Sequence, residues 1–365
     1  MNQPLVHLAA SSSSSSSSLS TGSAAAARRA LQRVLLLCGV ALGLHCGSVP
    51  PGSPGGAQIA DCIDETCLSQ SRSALSSPAA AGPYRPLRFD LTVPLGGGGS
   101  LAVTVAGPTD DGRELTKALG ALPLVVLSPG FVIARTQYNG YLTRLASHGF
   151  IVVSQTARAE AKHAQYRDDT SKLIDWLIAP TGSSASRLSG RIDSRRIGLT
   201  GHSLGGKISL LTAAVDPRVK AVITIDPVDG GAPLAKDSIG AIRLPAGVPL
   251  GFLGETISKT GGAQPCAPAD SNYEVLYRSS SASRFALRFL KAAHTDFVDN
   301  PAGCFPCLFC PGSLAPKAES RDLAIKYVTA YFLWTLAGDR SAESFLTGTE
   351  VQKDVMAGNV ELTKS

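Results

Sequence analysis

A succession of short aliphatic runs, each bounded by glycine or proline, constrains this chain more than any other feature. Leu124–Leu127, Ile151–Val153, Ile197–Thr200, Ala221–Ile225 and Leu250–Leu253 are continuous rather than alternating. Runs of that length with no polar face predict strands buried on both sides, as in a parallel sheet. Stretches with helical spacing lie between and after them. Thr136–Ser147 carries Tyr138, Tyr141, Leu142 and Leu145 on one face, and Thr170–Ile178 does the same with Leu173, Ile174, Trp176 and Leu177. Near the end, Leu323, Ala324, Tyr327, Val328, Tyr331, Phe332 and Trp334 mark a long amphipathic helix, with Gly338 placed to cap it. Arg88–Thr92 and Leu101–Val105 alternate apolar and polar residues around Gly96–Gly99, which predicts an opening antiparallel hairpin. Hairpin first, then strand–helix alternation, implies an α/β class with a mostly parallel central sheet and helices on both faces.

Charge is unevenly distributed. The 365 residues contain 34 Lys and Arg against 28 Asp and Glu, yet residues 1–60 hold Arg28, Arg29 and Arg33 and no acid. The remainder is close to balanced and has no basic cluster interleaved with aromatics, so nucleic-acid binding has no support. The unbroken serines of Ser11–Ser18, the alanines and the double Arg read as a cleaved organelle presequence over 1–60. The apolar run Val34–Leu44 is short of the roughly twenty residues that span a bilayer. It also fits the core of a secretory signal, which keeps a secretory or vacuolar destination open. Pro, Gly, Ser and Ala dominate from Val49 to Gly82, so 61–85 reads as a linker, 86–340 as the folded domain and 341–365 as a C-terminal tail.

Gly201-His202-Ser203-Leu204-Gly205 follows the strand-like Arg196–Thr200 and precedes the helical Lys207–Val215. A Gly-x-Ser-x-Gly on a strand–turn–helix is the context that exposes a serine nucleophile at the carboxyl edge of a sheet, in the α/β-hydrolase manner. Ser203 is therefore the candidate nucleophile. A serine hydroxyl needs a base, and His294, after the strand-like Phe285–Leu290, has the right place in the order Ser, acid, His. His7 and His45 fall in the presequence, His148 opens a strand, His163 lies in a polar helix, and His202 points the wrong way along the turn. For the acid, Asp226 ends one strand and Glu255 the next, with Asp229 three residues beyond Asp226. Position alone leaves Asp226 and Glu255 even.

Acyl transfer also needs donors for an oxyanion. The Leu204 N–H supplies one by position, and the loop Leu127-Ser128-Pro129-Gly130-Phe131 offers the Phe131 N–H as the second. Phe131, Val132 and Ile133 are expected to line an apolar cleft. No cofactor and no protein-bound metal is expected. Cys266, Cys304, Cys307 and Cys310 include a Cys-x-x-Cys-x-x-Cys run, but no His or further Cys follows closely to complete a zinc or iron–sulfur set. Disulfides are preferred over free buried thiols or a metal, and they imply an oxidising compartment; Cys62 and Cys67 are close enough to pair.

With these residues assembled, the chain resembles the chlorophyllases. The resemblance runs over roughly Leu122 to Ala337. It is carried by Leu127-Ser128-Pro129-Gly130-Phe131, Ser147-His148-Gly149-Phe150, Gly201-His202-Ser203-Leu204-Gly205-Gly206-Lys207, Asp226-Pro227-Val228-Asp229-Gly230, Leu253-Gly254-Glu255, Cys266-Ala267-Pro268 and His294 with Asp296. It implies hydrolysis of the phytyl ester of chlorophyll, Asp226 as the acid, a chloroplast location and peripheral contact with a pigment-bearing membrane. Leu204 stands where land-plant members tend to carry Arg, and Pro129 where they tend to carry His, which marks an algal or divergent member. A lipase-like or polyester-hydrolase-like esterase and a non-catalytic pigment- or lipid-binding protein are the alternatives.

Overall fold

A computed structural model describes residues 77–157, 163–179, 187–230, 243, 247–260, 265–280 and 282–365. The presequence over 1–60, linker residues 61–76 and Cys38, Cys46, Cys62 and Cys67 lie outside the described residues. Among those described, nine strands form one sheet in the order β1-β2-β4-β3-β5-β6-β7-β8-β9. β1 (Arg85–Gly96) and β2 (Gly99–Thr109) form the expected hairpin. Its tip is Gly97-Gly98, with φ of +59° and +80°. A two-residue hairpin loop that matches strand twist needs left-handed φ at both positions, which glycine takes without strain.

β2 runs antiparallel to β4 (Ile151–Gln155). From there β3 (Leu122–Ser128), β5 (Ile192–His202), β6 (Val219–Ile225), β7 (Leu250–Glu255) and β8 (Arg284–Phe289) continue the sheet in parallel. The helices are α1 (Asn139–Ser147), α2 (His163–Ile178), α3 (Leu204–Val215), α4 (Tyr273–Ser279), α5 (Lys317–Thr335) and α6 (Thr349–Met356). Successive side chains of a strand face opposite sides, and the core divides accordingly. Val125 and Leu127 of β3 join a layer with α1 and α5, whereas Leu124 and Val126 join one with α2, α3 and α4. Apolar layers on both faces explain why the central strands read as unbroken aliphatic runs. No helix among the described residues is long and apolar enough to cross a membrane.

The expectations at both ends need correction. Residues 341–365, read as a tail, contain α6 and a ninth strand, β9 (Val360–Lys364), which pairs antiparallel with β8 at the edge of the sheet. Ala342, Leu346 and Val351 of this segment pack into the same core layer as α5. That cover buries α5 nearly all round from Ala324 to Leu333, so it is not the half-exposed amphipathic helix its spacing predicts. At the other end, the described part of the linker is docked. Arg144 Nη1 donates to the Pro78 carbonyl at 2.9 Å, His148 Nε2 lies 3.1 Å from that of Ala80, and the Gly82 N–H donates to Ser147 Oγ at 2.9 Å.

Candidate active site

The parallel strands end together, and the candidate residues sit at or just beyond their carboxyl ends, where open α/β sheets place their ligands. β5 ends at His202 and α3 starts at Leu204, which leaves Ser203 alone to turn the chain. It does so at φ +56° and ψ −125°, a conformation that a non-glycine residue keeps only when its surroundings over-determine it. The crowding at the turn is severe. A Cβ on Gly205 would lie 1.8 Å from the Ser128 carbonyl oxygen, and one on Gly201 2.3 Å from that of Gly205. The two glycines of the pentapeptide thus let β3, β5 and α3 approach closely enough to hold Ser203.

The structure separates the three candidate acids. Asp226 follows β6 at φ +40° and is fully buried. Its Oδ2 lies 2.6 Å from His294 Nδ1, and its Oδ1 accepts the Glu255 N–H at 3.1 Å. A carboxylate at Nδ1 fixes the proton there and leaves Nε2 as the basic nitrogen. His294 is buried, and its N–H donates to Ser258 Oγ at 3.0 Å. Asp229 is engaged elsewhere, since Lys207 Nζ lies 2.7 Å from its Oδ1 and donates to its carbonyl at 3.0 Å.

Glu255 lies beside the pair without joining it. It accepts the Ser258 N–H at 2.9 Å through Oε2, and its buried Oε1 has no partner among the described residues. Burial, and after it the charge of Asp226, pushes its pKa up to about 9, so Glu255 keeps its proton at neutral pH. The folded-state pKa is raised, so the native state binds the extra proton between the two values. The stabilising contribution is complete below about pH 4.5, declines as pH rises, and is gone above about pH 9. Glu255→Gln cannot ionise. Its Tm relative to the wild type is expected to climb across that window, and a difference that stays flat with pH would contradict the assignment. Ligand atoms of Asp226, Glu255 and His294 all lie within 4.8 Å of one another, compact enough for a cation. Both Asp226 oxygens, however, are already taken by nitrogen donors.

Around the serine, neither the Phe131 N–H nor the Leu204 N–H reaches a protein acceptor among the described residues, whereas the neighbouring Gly130 N–H is tied to Tyr138 Oη at 3.1 Å. The two amides are the donors expected for an oxyanion. Ser203 Oγ also makes no hydrogen bond among the described residues. Val132 is 48% exposed, at φ +55°. Phe131 packs against an apolar cluster of Tyr166, Leu204 and Ile208. Ile133, expected in the cleft wall, is instead buried in the α1/α5 core layer. Tyr166 escaped sequence reasoning because α2 starts at His163 rather than at the expected Thr170, and Ile208 of α3 carries only a helical signal.

The zinc or iron–sulfur reading of the late cysteines fails, since Cys266 pairs with Cys310 and Cys304 with Cys307. The first bridge links the segment after β7 to the loop after His294. The Ala267 N–H donates to the carbonyl of Ser258, the residue that holds the His294 N–H and the Glu255 carboxyl. Ser258 carries no signal in the sequence.

Known proteins resemble this chain to different extents. A family model described as PETase, PET hydrolase-like, matches residues 71–239. Chlorophyllase-1 of Arabidopsis thaliana is 26% identical over 296 residues, which cover 73% of this chain and 84% of the relative. Bis(hydroxyethyl) terephthalate hydrolase of Streptomyces coelicolor is 32% identical over 172 residues, 47% of this chain and 51% of the relative. Cutinase 2 of Thermobifida cellulosilytica is 31% identical over 104 residues, 28% of this chain and 38% of the relative.

Proposed function

We propose that this chain, which resembles chlorophyllases and PET hydrolase-like proteins, is a carboxylic-ester hydrolase that cleaves the phytyl ester of chlorophyll to chlorophyllide and phytol with Ser203, His294 and Asp226. Ser203 Oγ attacks the ester carbonyl of the propionate side chain while His294 Nε2 takes its proton. Asp226 orients the imidazole and offsets the charge of the imidazolium. The Phe131 and Leu204 N–H groups receive the oxyanion. Phytol leaves with the proton from His294, and water, deprotonated by the same nitrogen, releases chlorophyllide from the acyl-enzyme. The magnesium belongs to the substrate.

The Asp226–His294 hydrogen bond of 2.6 Å carries this reading. It gives the base an acid partner from the Asp-Pro-Val block after β6, where the resemblance to chlorophyllases implies one. The greater reach of the similarity to the Arabidopsis chlorophyllase, 73% of the chain against 28% for the cutinase, supports the same substrate class. The PET hydrolase-like family model and the relatives named as a bis(hydroxyethyl) terephthalate hydrolase and a cutinase support the rival. Incubation with chlorophyll a, bis(hydroxyethyl) terephthalate and p-nitrophenyl butyrate separates the two. Chlorophyllide is the expected product; turnover of the latter pair alone sinks the chlorophyll assignment. Ser203→Ala is expected to abolish turnover on every ester. A wild type that resists a fluorophosphonate points to a pigment- or lipid-binding protein instead.

Chloroplast residence and peripheral contact with a pigment-bearing membrane belong to the same proposal. The serine-rich, acid-free N-terminus and the plant origin of Chlorophyllase-1 support it. The Cys266–Cys310 and Cys304–Cys307 bridges fit an oxidising compartment.

A further inference from the structure

We propose that Tyr138 and His202 form a hydrogen-bonded strut between the oxyanion loop and the His294 loop, and act as positioning residues for catalysis. The inference rests on the triad reading above. The Gly130 N–H donates to Tyr138 Oη at 3.1 Å, Tyr138 Oη lies 3.0 Å from His202 Nδ1, and His202 Nε2 lies 2.9 Å from the His294 carbonyl oxygen. Tyr138 and His202 are both fully buried. A carbonyl only accepts, so His202 Nε2 carries a hydrogen. Burial, and after it the proximity of His294, holds the His202 pKa well below the ordinary value, and among the described residues no carboxylate bonds to the ring. The ring is therefore neutral. Nδ1 then accepts from the Tyr138 O–H, and Tyr138 Oη accepts from Gly130. Each hydrogen along the chain has one place to be.

The strut joins the two halves of the proposed machinery. One end fixes Gly130, immediately before the Phe131 N–H that is the proposed oxyanion donor. The other end fixes the main chain of the base itself. His294 is thereby held at three points: its N–H by Ser258 Oγ, its Nδ1 by Asp226, and its carbonyl by His202. Asp226 sets the tautomer and one direction of the ring, and the two backbone anchors set where the ring stands relative to Ser203. The His202 and His294 ring centroids are 4.6 Å apart. A charged His202 at that separation would oppose the imidazolium that forms on His294, and a neutral one leaves it unopposed.

A buried Tyr–His contact that served packing alone would lower stability when cut and leave kcat unchanged, so kcat, KM and Tm on p-nitrophenyl butyrate decide the matter. A misplacement of about 1 Å costs about 10²-fold in rate, so His202→Leu is expected to lower kcat by about 10- to 100-fold with KM near the wild-type value. His202→Gln keeps an N–H within reach of the His294 carbonyl and is expected to recover part of that loss. Tyr138→Phe is expected to fall between the wild type and His202→Leu. Wild-type kcat in both Tyr138→Phe and His202→Leu overturns the strut, as does a loss that His202→Gln leaves unrelieved. If His202→Leu does not fold, Tyr138→Phe, which deletes one oxygen atom, decides by the same criterion. Fluorophosphonate labelling separates the two levels of failure. A wild type that does not label overturns the triad and the strut with it, whereas a wild type that labels, with Tyr138→Phe and His202→Leu both unaffected, overturns the strut alone.

Discussion

Asp226→Asn is expected to lower kcat by about 10⁴-fold, the loss that follows when the base is held by an amide in place of a carboxylate and takes the wrong tautomer. The substitution is a clean one. Asp226 sits at φ +40°, and asparagine is among the few non-glycine residues that tolerate left-handed backbone, so the turn after β6 should survive. Glu255→Gln, in the same buried cluster, is expected to keep most of the activity. Glu255 is already protonated at neutral pH and gives its hydrogen-bonding capacity to Ser258 rather than to His294. Steady-state kinetics of the two variants on one ester make the comparison. Equal losses would return Glu255 to contention as the acid, and an unimpaired Asp226→Asn would remove Asp226 from the reaction.

The second large effect concerns stability. Lys207, on the helix that follows Ser203, is fully buried and ion-paired to Asp229, which is 14% exposed. Removing one partner of a buried pair leaves an uncompensated charge and costs about 3–5 kcal/mol. Lys207→Met keeps much of the volume and loses the cation, and the partial exposure of Asp229 puts the expected cost near the lower end of that range. Urea unfolding measures it. Lys207→Met with Asp229→Leu is expected to regain much of the loss, because an apolar pair of similar volume often matches a buried ion pair. A single variant as stable as the wild type would show that the fold does not depend on the Lys207–Asp229 pair. The pair also ties α3 to the segment that carries Asp226, so loosening it is expected to lower activity as well.

Much of this protein is written locally. Aliphatic runs specify the parallel strands because both faces of the sheet are covered, and Gly97-Gly98 specifies the hairpin because its φ values are open to glycine. Gly201 and Gly205 specify the Ser203 turn because a Cβ at either would strike backbone. Each of these signals lies within a few residues of what it determines. β9 did not announce itself, since Val-Glu-Leu-Thr-Lys is short and half polar and becomes a strand only by pairing with β8. The near-complete burial of α5 was hidden for a similar reason, as it depends on residues 342–351 packing against it.

The sequence by itself determined the opening hairpin, the parallel strands, the serine turn and which histidine follows the last parallel strand. Only the tertiary structure placed Asp226 against His294 Nδ1 and Glu255 against Ser258. Both end adjacent parallel strands, and adjacency in a sheet gives them nearly the same place. What separates them is that His294 Nδ1 reaches Asp226, while Glu255 sits over Ser258 and keeps its proton. The cysteine pairing and the contacts of His202 with Tyr138 and His294 likewise join segments far apart in the chain. Composition and spacing record what a residue does to its own backbone. They leave open which distant partner will neutralise, orient or desolvate it, because that depends on where the fold brings the other segment.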